Sequence, residues 1–144
     1  MQQKNDAAPT PKVSAKIDSF VPISTGVETM NRLNEDELYE LHFRVCVAAV
    51  AEGFPHIPVA HIIEPPRGRF DAILARQIVL HILVARFGLV RTRVGALMGR
   101  KRTQVNNAVY KVDERLEDPE FAKRYIRWAE RTEELYLDEL AEVA

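Results

Sequence analysis

The sequence predicts an all-α domain of five to six helices carrying a helix-turn-helix, and three observations support this. After residue 34, apolar residues recur at spacings of three and four, glycines and prolines punctuate the periodic stretches, and no segment alternates with the two-residue period of a strand. A chain of 144 residues suffices for one domain with a single core and a tail. The expected division is a disordered tail over residues 1–34 and a helical domain over residues 35–142.

The tail reading rests on Pro9, Pro11 and Pro22, on frequent Ser, Thr, Asn and Gln, and on the lack of any periodicity. Within it Phe20, Val21 and Ile23 form a short apolar patch, read as packing loosely on the domain. Order is expected from Asn34, an N-cap with Glu37 completing a capping box. Leu38, Leu41, Val45, Ala48 and Ala49 then mark one helix face up to about Glu52, where Gly53 and Pro55 stop it. Residues 58–63 suggest one short helical turn, ended by Pro65 and Pro66.

Asp71 is the next expected N-cap, opening a helix over residues 71–87. Ile73, Leu74, Ile78, Val79, Ile82 and Leu83 cover so much of its circumference that it should be the central, buried helix. Gly88 ends it. A short helix over 92–98 places Val94, Leu97 and Met98 inward, and Gly99 and Arg100 make a turn. A helix over 102–116 buries Val105, Ala108, Val109, Val112 and Leu116. The last helix starts at Pro119, behind Asp118, and runs to near Leu140, packed by Tyr125, Trp128, Ala129 and Leu135.

Composition narrows the setting. No apolar run reaches the roughly 18 residues that span a bilayer, and no signal-peptide core follows Met1, so a cytoplasmic protein without membrane contact is expected. The single cysteine, Cys46, falls in an apolar helical pattern and reads as a buried, inert thiol.

Charge is distributed unevenly although the net formal charge is −1. Residues 72–112 hold Arg76, Arg86, Arg91, Arg93, Arg100, Lys101, Arg102 and Lys111 and no acid, whereas acid predominates in residues 113–144. A merely solvated face usually mixes signs; one sign along a folded segment points to a polyanion. The short helix, glycine turn and longer helix have helix-turn-helix spacing, in which the second helix enters the major groove of DNA. Its first residues, Lys101, Arg102, Thr103, Gln104, Asn106 and Asn107, are side chains that read base edges. Arg91, Thr92, Arg93, Arg100 and Lys111 flank them where phosphates lie. Ahead of the central helix, Arg67-Gly68-Arg69 follows Pro65-Pro66, a loop able to place arginine in a narrow minor groove.

These residues resemble the C-terminal DNA-binding domain (domain IV) of the bacterial replication initiator DnaA, over roughly residues 35–135. Val59-Ala60-His61-Ile62-Ile63 is similar to its short second helix, Arg67-Gly68-Arg69 to its basic loop and Ala75-Arg76-Gln77 to the start of its central helix. Gly95 stands at a typical family glycine, and Arg100-Lys101-Arg102-Thr103-Gln104-Val105 falls on its Gly-Arg-Asp-His-Thr-Thr-Val block. The resemblance implies that Arg67 enters the minor groove with Arg69 in support. It assigns Arg76, Gln77, Arg100, Gln104 and Lys111 to phosphates, and Lys101, Arg102 and Thr103 to bases.

The departures from the family have consequences. Lys101 and Arg102 replace its Asp-His pair, so an acceptor becomes a donor and the preferred site should differ from the family's usual one. The capping Asp is gone, and Thr103 is expected to cap the helix one residue later. No Gly-x-x-x-x-Gly-Lys-Ser/Thr loop occurs in the sequence, so nucleotide-driven origin opening is not expected of this chain. Stand-alone domains of this kind resemble small bacterial transcription regulators, including activators of prophage-like gene-transfer-agent clusters.

His42, His56, His61 and His81 are scattered without ligand spacing, and no nucleophile elbow or catalytic carboxylate pair is present, so neither a metal, a cofactor nor an enzymatic activity is expected. The leading expectation is a sequence-specific binder of double-stranded DNA, a transcription activator that also contacts a protein such as RNA polymerase. The alternative is an interaction adaptor, or a modulator of replication initiation, that keeps the scaffold but binds DNA weakly.

Overall fold

A computed structural model describes residues 34–143, which form six α-helices and, among the described residues, no strand. The tail and its Phe20, Val21 and Ile23 patch lie outside the described residues. Helix α1 (Glu35–Glu52) starts as its sequence dictates: Asn34 Oδ1 accepts from the Glu37 N–H at 2.7 Å, and Glu37 Oε1 accepts from the Asn34 N–H at 3.1 Å. Glycine at the position after it has a packing cause. Gly53 keeps a right-handed φ of −87°, but a Cβ there would lie 2.3 Å from Trp128 Nε1.

The short helix α2 is Val59–Ile63. Central helix α3 spans Phe70–His81 and continues into a π-helical turn over Ile82–Arg86, closed by the Phe87 N–H to the Ile82 carbonyl at 3.2 Å. The uniform helix expected over 71–87 is thus widened in its last turn, and Gly88, with φ +68°, ends it. Asp71 lies inside the first turn of α3 and does not cap it. Its carboxylate faces back to Arg69 and His56, at 3.4 and 3.0 Å, and Arg69 occupies the boundary position.

Helix α4 (Arg91–Leu97), the turn at Gly99 with φ +66°, and helix α5 (Arg102–Arg115) follow, then the long α6 (Pro119–Val143). Close approach of α4 to the start of α5 depends on Gly95. Its carbonyl accepts from the Arg100 N–H at 2.8 Å, and a Cβ there would meet the Arg100 carbonyl oxygen at 2.6 Å and Val105 Cγ2 at 3.1 Å.

Ala72, Ala75, Ile78, Val79, Ile82 and Leu83 are fully buried, which makes α3 the hub against which α1 and α5 pack. Val94 of α4, Met98 just after it, and Val105, Ala108, Val109 and Val112 of α5 close the core. The last helix lies chiefly along α1. Tyr125 and Ala129 join the main core, while Leu41, Val45, Tyr136 and Leu140 make a second apolar cluster. There His42 stacks on Tyr136 with ring centroids 3.9 Å apart, and burial holds its pKa down at about 4. A polar clasp joins three helices: the buried His81 of α3 meets the Tyr125 hydroxyl at 2.5 Å and the exposed Asp113 carboxylate at 2.7 Å. Cys46 is fully buried, and burial raises its thiol to about 12, which makes it inert.

Candidate nucleic-acid interface

The start of α5 faces solvent. Val105 and Ala108 point into the core, so Lys101, Arg102, Thr103, Gln104 and Asn107 are turned outward and all five are exposed. Lys101 occupies the N-cap position, where its side chain has no acceptor to offer. Gln104 Oε1 instead reaches back to accept from the Lys101 N–H at 3.0 Å. Thr103 therefore does not cap the helix; it is the second helical residue and stands exposed on the outer surface. No side chain caps the first-turn N–H groups of α5, which carry the positive end of a 14-residue helix dipole.

Beside this terminus, α3 and α5 enclose a polar notch of about 210 Å³. Arg76, Gln77, Arg100, Thr103, Gln104 and Asn107 form its walls, with Leu80 and Ala108 beneath. Two of its walls are cationic. Burial and the neighbouring Arg100 charge both press the Arg76 pKa downward, while Glu64 opposes them. Crowded guanidinium groups of this kind are relieved by an anion. Glu64 partly supplies one: its carboxylate lies 4.0 Å from Arg100, although it is 75 % exposed.

The remaining candidate residues do not line the notch. Arg91 donates to Asn106 Oδ1 at 2.5 Å, so it orients that half-buried side chain. Lys111 is exposed one helical turn beyond Asn107. Arg67 is exposed and has no ion pair among the described residues, whereas Arg69 bonds Asp71 at 3.4 Å and helps hold that carboxyl near 2.

Arg93 is not part of the notch. It bridges to Glu35 at 2.9 Å and Asp36 at 2.6 Å and lies 4.2 Å over the Tyr39 ring, a strap from α4 to the start of α1. The exposed Thr92 beside it is also outside the notch. Both features of the Arg93 strap escaped sequence reasoning, because the partners lie far away along the chain. Glu64 also escaped it; one acid before a proline pair carries no local signal.

The arrangement as a whole defines a basic, polar surface built from two helices and a turn, with open backbone donors at its centre. Comparison with family models, curated proteins and solved structures gave no match to this chain. Among the described residues, no group of three or more His, Cys, Asp or Glu side chains could hold a metal ion, and no helix is long and apolar enough to cross a membrane.

Proposed function

We propose that the chain binds double-stranded DNA with sequence preference, with α4, its turn and α5 acting as a helix-turn-helix. The carrying observation is the convergence of Arg76, Gln77, Arg100, Thr103, Gln104 and Asn107 on one notch beside the uncapped start of α5. A backbone phosphate seated there takes charge-assisted hydrogen bonds from two guanidinium groups and N–H donors from the helix terminus. That anchor fixes register but reads no sequence. The reading falls to Lys101, Arg102, Asn106 and Asn107, which project from the same end of α5 toward guanine and adenine edges, with the Thr103 methyl free to touch thymine. Lys111 extends the phosphate track along α5, and Arg67 at its loop reaches the adjacent minor groove.

The acidic helix α6 supports this reading by its position. It packs along α1, and none of its residues lines the notch, so the basic surface stays open. On this reading the module is a relative of the DnaA domain IV type used to regulate transcription in a bacterial cytoplasm. Activation by contact with RNA polymerase is part of the same proposal.

Fluorescence anisotropy on a preferred and a scrambled duplex tests the division of labour. Arg102→Ala should lose about 1–3 kcal/mol on the preferred site alone, and Arg76→Ala should weaken both duplexes alike. Identical profiles for the two variants would overturn the assignment.

A further inference from the structure

Phe70 is the most exposed large apolar side chain among the described residues, at 79 %, and belongs to neither apolar cluster. It opens α3 directly after the Arg67-Gly68-Arg69 loop. Gly68 adopts φ +82°, and a Cβ there would meet nothing within 4 Å, so the loop apex is open on that side. The adjacent acid is already engaged, since Asp71 is held by His56, Arg69 and the Ala72 N–H.

Position along α3 gives the ring a direction. Phe70 and Gln77 are seven residues apart and so share one stripe of the helix, about 10 Å from each other along its axis. Gln77 lines the notch. A duplex that seats a phosphate in that notch and runs along α3 would pass Phe70, at a distance that spans an adjoining minor groove about 6 Å wide. An exposed apolar ring flanked by arginine suits that groove, where inserted apolar side chains partly unstack a base step.

We propose that Phe70 enters the minor groove beside Arg67 as an apolar wedge and opens one base step next to the site read by α5. The inference rests on the DNA-binding reading given above. Burial of the ring and the cost of unstacking oppose each other. Phe70→Ala therefore lowers affinity by about tenfold at most, and the signature is local unstacking.

The test uses the full chain with the duplex recovered by selection from random sequences, with 2-aminopurine replacing each adenine in turn. Wild type should raise the fluorescence at one step outside the major-groove site. Phe70→Ala should abolish that rise while still binding, and Phe70→Leu should keep it. Binding by wild type with flat fluorescence at every position overturns the wedge and leaves the DNA-binding reading standing. Absence of duplex binding by wild type overturns both. A rise unchanged in Phe70→Ala, with a shift in sedimentation of the DNA-free protein, would make Phe70 a protein contact and overturn the wedge.

Discussion

Gly95→Ala probes how closely α4 sits on the start of α5. Taken alone, alanine is the better helix former by about 1 kcal/mol, so local propensity predicts stabilisation. The geometry opposes it. The new Cβ would lie 2.6 Å from the backbone oxygen of Arg100, which cannot swing away as a flexible side chain would. Either α4 lifts or the turn shifts, and overpacking of this sort costs about 1–3 kcal/mol. The 2.8 Å bond from the Arg100 N–H to the Gly95 carbonyl is strained by the same movement, at a further cost of about 1 kcal/mol. The net expectation is a loss of about 1–3 kcal/mol, or a Tm lower by about 4–13 °C for a domain of this size. Because Arg100 is a wall of the notch, DNA affinity should fall with it, even well below the melting range. Circular dichroism melts with anisotropy titrations at 25 °C read both effects. A variant that melts higher than wild type and binds duplex equally well would refute the reasoning.

Three further outcomes follow. Glu64→Gln removes the carboxylate 4.0 Å from Arg100; duplex affinity should rise about two- to fivefold, the equivalent of an exposed ion pair worth 0.5–1 kcal/mol, and unchanged or weaker binding in a gel shift would exclude Glu64 as a competitor for the notch. Asn34→Ala removes the cap of α1 and should cost about 1 kcal/mol in urea unfolding with no effect on DNA binding. His42 is held neutral in the fold at about 4, below its ordinary 6.5; its contribution is complete above pH 6.5 and is lost as pH falls toward 4, by about 2.5 kcal/mol at pH 4.5. Urea midpoints at pH 8 and 4.5 should therefore converge more closely for His42→Phe than for wild type, and an equal fall in both would show that His42 is not the sensor.

What could be read from the sequence was local. Asn34 and Glu37 are three residues apart, Gly88 and Gly99 mark turns with positive φ, and the apolar spacing of α5 left Lys101, Arg102, Thr103 and Asn107 on its outer face, where the structure places them. Convergence of Arg76 and Gln77 with Arg100 and Gln104 came from the family resemblance and not from spacing. What could not be read depends on pairs distant in sequence. Arg93 looked like one more cation on a basic segment, yet Glu35 and Asp36 come from the start of α1 to neutralise it. Tyr136 and Leu140 lie on a helix whose partner could not be told until α6 folded back along α1. Capping by Thr103 failed because α5 starts two residues earlier than that cap requires: Lys101 holds the N-cap position and Thr103 already lies in the first turn. Gly53 shows another case, a helix stop correctly placed at a glycine that the Trp128 ring requires, since a Cβ there would collide with it.

The claim on which the account turns is that the surface around the notch and α5 recognises a duplex. Selection of bound sequences from a pool of random duplexes tests it most directly, followed by titration of the recovered site against salt. Enrichment of one motif is expected, lost in Arg102→Ala, with affinity falling by about 0.9 log units per phosphate contact for each tenfold rise in salt, and a shallower slope for Arg76→Ala. No enriched motif, together with binding that is salt-independent or absent, would contradict it.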